Sequence, residues 1–297
     1  MYNINIIVNT LTFIISCATI VYASYNFRKN QNAKYVPSGK WTCNGVQIVP
    51  LNAEIEKSLD ALTVAPKFVN WLQTILNAGE LIVQTVTVTD INWFSAKPDP
   101  VKLGFVKCVL TGAVDAITGK RVMSNIVFIR GNSVAVLIVV KVLNTIVVQD
   151  KTPVQDKTPV QCKKYVLLCE QMRASMGKKV KEICAGMTDA EGNIMSVALK
   201  EVQEETGIQI KHIEELIPLG TIMPSPGACD EIIYLYAYET VMSSKEFEKK
   251  QQKLYGNAEE HEEIQLQFVE INEYENTVLE ETGDVKGECA FRRWKQQ

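Results

Sequence analysis

The chain has little histidine and no paired cysteines. Only His212 and His261 occur in 297 residues, and the eight cysteines (Cys17, Cys43, Cys108, Cys162, Cys169, Cys184, Cys229 and Cys289) include no C-x-x-C pair. A structural zinc site needs four clustered sulfur or nitrogen ligands, so none is expected. The scatter fits reduced cysteines buried as small apolar side chains. A dominant sign of charge is also missing, since the net charge is -3. No global field gathers nucleic acid or anionic lipid, and nucleic acid is not an expected partner. A substrate with several phosphates would need metal ions or local basic residues to bind.

Charge is wholly absent from residues 1–27. Ile4 to Tyr25 is apolar and long enough to cross a bilayer, which takes ~20 residues. A cleaved signal peptide is one alternative, with Val21-Tyr22-Ala23 resembling a cleavage site, but basic residues before the apolar run are lacking. A buried core helix is another. A membrane anchor is the preferred reading. Arg28, Lys29 and Lys34 follow it, so the positive-inside rule puts the remaining chain on the cytosolic or matrix side, with the mitochondrial inner membrane the leading candidate.

What is present suits a folded protein. Hydrophobic residues make up 46% and charged residues 22%, enough for one large domain or two ordinary ones. Residues 28–45 read as a polar linker. Residues 46–125 read as a small β-rich domain that includes helical spacing over 54–77, with strands from 81 onward. Two copies of Gln-Asp-Lys-Thr-Pro-Val fill 149–160. They are too few for a solenoid and read as a surface loop between strands. A second domain is expected over 126–285, with a charged, flexible stretch around Glu246 to Glu263. Residues 286–297 read as a C-terminal tail with Arg292-Arg293 as a solvated pair.

One segment carries chemistry. After a loop at 186–192, Met195 to Thr206 reads as a helix with Met195, Ala198, Leu199 and Val202 on one face, and Gly207 as its C-terminal stop. Glu201, Glu204 and Glu205 project together beside that face. Three carboxylates near a helix C-terminus repel one another and oppose the helix dipole. A hard divalent cation would offset that cost. A solvated acidic patch is the plain alternative for the helix taken alone.

The surrounding residues decide between these readings. Gly186, Glu201, Val202, Glu204, Glu205, Gly207 and Ile208 fall on the pattern G-x5-E-x7-R-E-U-x-E-E-x-G-U, in which U is aliphatic, and the chain thereby resembles the Nudix superfamily. Lys200 stands where the pattern has arginine. Gly192 stands at its first glutamate, with Glu191 one residue early. Glu170-Gln171-Met172-Arg173, Lys181-Glu182-Ile183-Cys184-Ala185-Gly186 and Ser225-Pro226-Gly227-Ala228-Cys229-Asp230-Glu231 are similar to segments of plant-type ADP-sugar pyrophosphatases. His261-Glu262-Glu263-Ile264 resembles their late loop, which supplies a catalytic glutamate.

The resemblance implies an α/β fold: a Nudix α/β/α sandwich with a mixed sheet, here preceded by the small β-rich domain and one transmembrane helix. It implies Mg2+ (or Mn2+) held by Glu201 and Glu205, with Glu204 and the Ala185 carbonyl helping. Glu263, or alternatively Glu262, would orient or deprotonate water. Arg173, Glu182, Glu231 and Gly227 would line the substrate side, and an aromatic of the N-terminal region would pack on adenine. The implied activity is hydrolysis of ADP-ribose or ADP-glucose to AMP and sugar phosphate. Lys200 and Gly192 motivate an alternative, a catalytically weak or inactive Nudix-fold accessory subunit of a membrane complex. Expected partners are a nucleotide sugar, the membrane, and either other subunits or a second copy in a homodimer.

Overall fold

The computed structural model describes residues 35–122, 125–143, 162–188, 193–257 and 262–297. The expected anchor, the duplicated hexapeptide, Glu191, Gly192 and His261 lie outside them. Among the described residues no helix is long and apolar enough to cross a membrane.

Strands β1 (Trp41–Cys43), β2 (Val46–Pro50), β3 (Leu81–Ile82), β4 (Thr85–Trp93), β5 (Leu103–Thr111), β6 (Val114–Asp115) and β7 (Ile126–Ile129) build the first half. Five of them form one sheet in the order β1-β2-β4-β5-β7, and β3 pairs with β6. The helical spacing of 54–77 resolves into α1 (Ala53–Glu56), α2 (Leu59–Leu62) and α3 (Pro66–Ala78). Proline at the first position of α3 costs no hydrogen bond there. Gly79 ends α3 with φ of 68°, where a β-carbon would be strained. Phe68, Trp71 and Leu72 share one buried face of α3 and pack in a single core with Val86, Val88, Val106 and Cys108 of the sheet.

The second half is an eight-stranded mixed sheet made of β8 (Ser133–Leu143), β9 (Cys162–Arg173), β10 (Lys178–Glu182), β11 (Cys184–Met187), β12 (Ile217–Ile222), β13 (Ile233–Ser243), β14 (Leu254–Tyr255) and β15 (Ile264–Glu270). β8 lies parallel to β13 and antiparallel to β9. Its side chains alternate between two cores. Val134, Val136, Ile138 and Val140 pack with Ala198 and Val202 of helix α4 (Ile194–Thr206). Ala135, Leu137 and Val139 pack with Tyr274, Ala290 and Phe291 on the other face. A strand covered on both sides reads as a continuous apolar run, as β8 does.

Three boundaries differ from the expectation. The linker at 28–45 already contains β1. Residues 126–129 pair with β5, so they belong to the first sheet and the second begins at Ser133. The tail at 286–297 is largely helix α6 (Val285–Trp294), which follows the helix α5 (Ser244–Gln251) found within the stretch read as flexible. Ser243 caps α5 by accepting from the Glu246 N–H. Arg292 is solvated as expected and pairs with Glu288 on the surface, whereas Arg293 is half-buried and donates to the carbonyls of Leu219 and Thr221.

Phe291 is 1% exposed in the second core. Phe291→Ala is therefore expected to destabilise the protein by about 3–5 kcal/mol, as large-to-small changes in a packed core do. Urea unfolding of the variant measures it, and a loss below about 1 kcal/mol would mark α6 as peripheral.

Candidate active site

The two sheets meet around a cleft of about 1300 Å3. Phe94 and Phe105 of the first half form one wall, and Glu201, Glu204, Glu205 and Glu262 of the second form the other. Phe94 and Phe105 contact edge to face, with ring centroids 5.6 Å apart, and Phe105 stacks on Phe128 at 5.4 Å.

The carboxylates are placed by α4 and β11. Asn193 caps the start of α4 by accepting from the Met195 N–H, and Gly207 closes its end at φ 63°. Its Ala198 and Val202 bury against the sheet, which turns Glu201 and Glu205 toward β11. Gly186 on β11 is needed for this approach, because a β-carbon there would overlap the Glu201 carboxylate. Glu205 is 2% exposed and accepts the Ala185 N–H at 3.1 Å. Burial, with the neighbouring Glu201 and Glu262, pushes its carboxyl up to about 7, against the hydrogen bond from Cys184. No ion pair to Glu205 forms among the described residues.

A buried carboxyl crowded by two others, with no cation beside it, fits a divalent ion with hard oxygen ligands. No three His, Cys, Asp or Glu side chains among the described residues already converge at ligand distance. Any ion would therefore draw them together from these rotamers.

The cleft gathers most of the sequence candidates. Ala185, Glu201, Glu204, Glu205, Glu262, Arg173, Glu182 and Glu231 line it, whereas Glu263 and Gly227 do not. Glu263 is exposed. The signal that separates the adjacent glutamates is the alternation Ile264, Leu266, Phe268 toward the α4 side, which Glu262 continues and Glu263 does not. Gly227 lies in a segment that clamps the junction between the halves. There the Phe128 N–H meets the Ala228 carbonyl at 2.7 Å, and Asp230 accepts the N–H groups of Arg130 and Gly131. Glu231 accepts Ser133 Oγ at 2.8 Å and pairs with Arg130 at 3.3 Å. Lys200 reaches Glu204 at 3.6 Å with its side chain 61% exposed. A lone ammonium supplies charge there without the planar fork of an arginine.

Sequence reasoning missed Arg130, Gln171, Asp284 and Lys286. Arg173 donates to Glu182 at 2.6 Å, and Lys286 bonds both Glu182 at 2.7 Å and Asp284 at 2.8 Å. Only the three-dimensional fold shows this, since Lys286 lies in the segment read as a tail.

A glycine-backed helix of three glutamates, packed on a mixed sheet at the mouth of a cleft, defines a Nudix-type α/β site. Residues 157–289 match the NUDIX domain, so this part of the chain is a Nudix domain. It is 30% identical over 222 residues to Nudix hydrolase 14, chloroplastic, of Arabidopsis thaliana, covering 69% of this chain and 63% of that protein. Over 88 residues it is 34% identical to the ADP-ribose pyrophosphatase of Haemophilus influenzae, covering 30% of this chain and 36% of that protein. The chain thus spans less than two-thirds of the length of these curated relatives. A mutT/nudix family protein from Listeria innocua aligns structurally with a TM-score of 0.35 at 15% identity, over 56% of this chain and 92% of that one.

The Glu182 cluster makes stability depend on pH. Burial opposes ionisation of Glu182, but Lys286 and Arg173 outweigh it and hold the carboxyl below its ordinary 4.5. Its contribution is present above that value and is lost as pH falls through the lower folded value. Burial also opposes the Lys286 charge, yet Asp284 and Glu182 raise its pKa above 10.5, so that contribution is lost only as pH rises past it. Glu182→Gln is expected to cost about 1–3 kcal/mol at neutral pH and to flatten the acid limb of stability against pH. Urea midpoints across the acid range decide, and parallel slopes for the two proteins would refute the assignment.

Proposed function

We propose that this protein is a divalent-cation-dependent pyrophosphohydrolase of ADP-sugars, releasing AMP and a sugar phosphate. The observation that carries this reading is Glu205: a carboxyl on the cleft floor, pushed toward neutrality by its burial and then by Glu201 and Glu262, and left without a cationic partner among the described residues. The name of the Haemophilus relative, an ADP-ribose pyrophosphatase, points to the same substrate class.

Each wall has a task. Phe94 and Phe105 offer flat apolar surface to the adenine. Arg173 and Arg130 face the same cleft and suit the diphosphate, since a guanidinium donates in a planar fork. Glu201 and Glu205, with Glu204 and the Ala185 carbonyl, would hold Mg2+ or Mn2+. When bound, the ion neutralises the diphosphate and eases deprotonation of water. Glu262 accepts the proton of the attacking water. The water oxygen bonds to one phosphorus as the bond from that phosphorus to the bridging oxygen breaks, and the bridging oxygen leaves with the other phosphate.

Turnover of ADP-ribose and ADP-glucose by the full chain with Mg2+, followed as AMP release, tests this. Glu205→Gln should lose more than ~100-fold in kcat, since removing groups that merely hold a metal ligand from behind costs ~10–100-fold. If the wild-type chain binds nucleotide but releases no AMP, the hydrolase assignment is wrong.

A further inference from the structure

Lys286 is placed against its own electrostatic interest. It lies in the first turn of α6, where a cation meets the positive end of the helix dipole. Its side chain is only 11% exposed, so it also gives up most of its hydration. An apolar residue would serve the helix better at this position. The charge is explained by what it touches.

Nζ of Lys286 donates to Asp284 Oδ1 at 2.8 Å and to Glu182 Oε1 at 2.7 Å. The other oxygen of Glu182 takes Arg173 Nε at 2.6 Å. Gln171, buried on β9, comes next. Turned so that its oxygen meets a donor and its nitrogen an acceptor, its amide accepts from the Arg173 NH2 at 3.1 Å and donates to Glu262 Oε1 at 3.2 Å. The opposite orientation would set oxygen against oxygen and nitrogen against nitrogen. Oε2 of Glu262 faces the Asn257 N–H at 3.4 Å.

A single chain of hydrogen bonds thus runs from α6 to the water-handling glutamate through Lys286, Glu182, Arg173 and Gln171. Its polarity leaves no freedom. Lysine and arginine only donate, ionised carboxylates only accept, and Gln171 does one of each. With Lys286 neutral, Glu182 keeps one cationic partner for two oxygens and can close on the guanidinium with both. Arg173 then turns from the Gln171 oxygen, and the Gln171 amide no longer has a reason to present its nitrogen to Glu262.

We propose that Lys286 is a positioning residue of the cleft, setting the orientation of Glu262 through Glu182, Arg173 and Gln171. Its effect on turnover rests on the hydrolase reading above, whereas the coupling itself does not. The test uses the full chain with Lys286→Met, Glu182→Gln and the double variant. Lys286→Met should lower kcat on ADP-ribose about tenfold, the scale for groups that hold a catalytic-site ligand from behind. Glu182→Gln should do the same, and the double variant should be no worse than the poorer single one, because both break one chain. Independently of activity, the side-chain amide resonances of Gln171, assigned by their loss in Gln171→Leu, should shift in Lys286→Met while those of exposed Gln203 stay in place. Lys286→Arg keeps the charge and should retain the wild-type Gln171 signals, which covers the case in which Lys286→Met unfolds. Unmoved Gln171 signals, or single losses in kcat that multiply in the double variant, would overturn the proposal. An inactive wild-type chain would sink the hydrolase reading alone, and the Gln171 signals would still decide the coupling.

Discussion

Every residue of β8 from Ser133 to Val140 is buried, and a strand with no wet face must be covered twice. That requirement organises the molecule. One face draws in α4, and with α4 come the glutamates. The other draws in the C-terminal helix, and with it comes Lys286. The polar groups of the cleft stand at the rim of this double cover, where two cores end and the first sheet closes in. Their positions follow from apolar side chains that touch no ligand. Val202 sets the rotation of α4 as surely as Gly186 makes room for Glu201.

The cleft concentrates like charge on one side and aromatic surface on the other. Glu201, Glu205 and Glu262 repel one another, and that repulsion adds to burial in raising the Glu205 carboxyl. The basic groups are kept apart from them. Arg173 and Lys286 are tied to Glu182, and Arg130 to Glu231, rather than collapsing onto the box glutamates. Separate pairing of this kind leaves Glu205 without an ion pair among the described residues.

Much of this was legible in the residues, where signals are local. Gly207 ends α4, its apolar spacing is helical, and the glutamates follow from their offsets. The continuous apolar run of β8 announces a buried strand. What failed to show in the sequence depends on groups far apart in the chain. Lys286 meets Glu182 across more than a hundred positions, and nothing near Lys286 hints at a carboxylate. Helix α6 passed for a tail because Lys286, Glu288, Arg292 and Arg293 dilute its apolar face, although Ala290 and Phe291 bury fully. The choice between Glu262 and Glu263 turned on strand parity, which a charged loop conceals. Gly227 matched a motif whose neighbours proved to clamp the junction between halves.

The chain order of the cleft residues has a consequence for synthesis. Arg173, Glu182 and the α4 glutamates leave the ribosome well before the helix Val285–Trp294. Until it docks, the face of β8 bearing Leu137 and Val139 has lost part of its cover, and Glu182 lacks its lysine. A nascent chain therefore holds the box helix long before it holds an ordered cleft. The site is complete only once this helix has docked, so the motif can be present without the geometry that serves it.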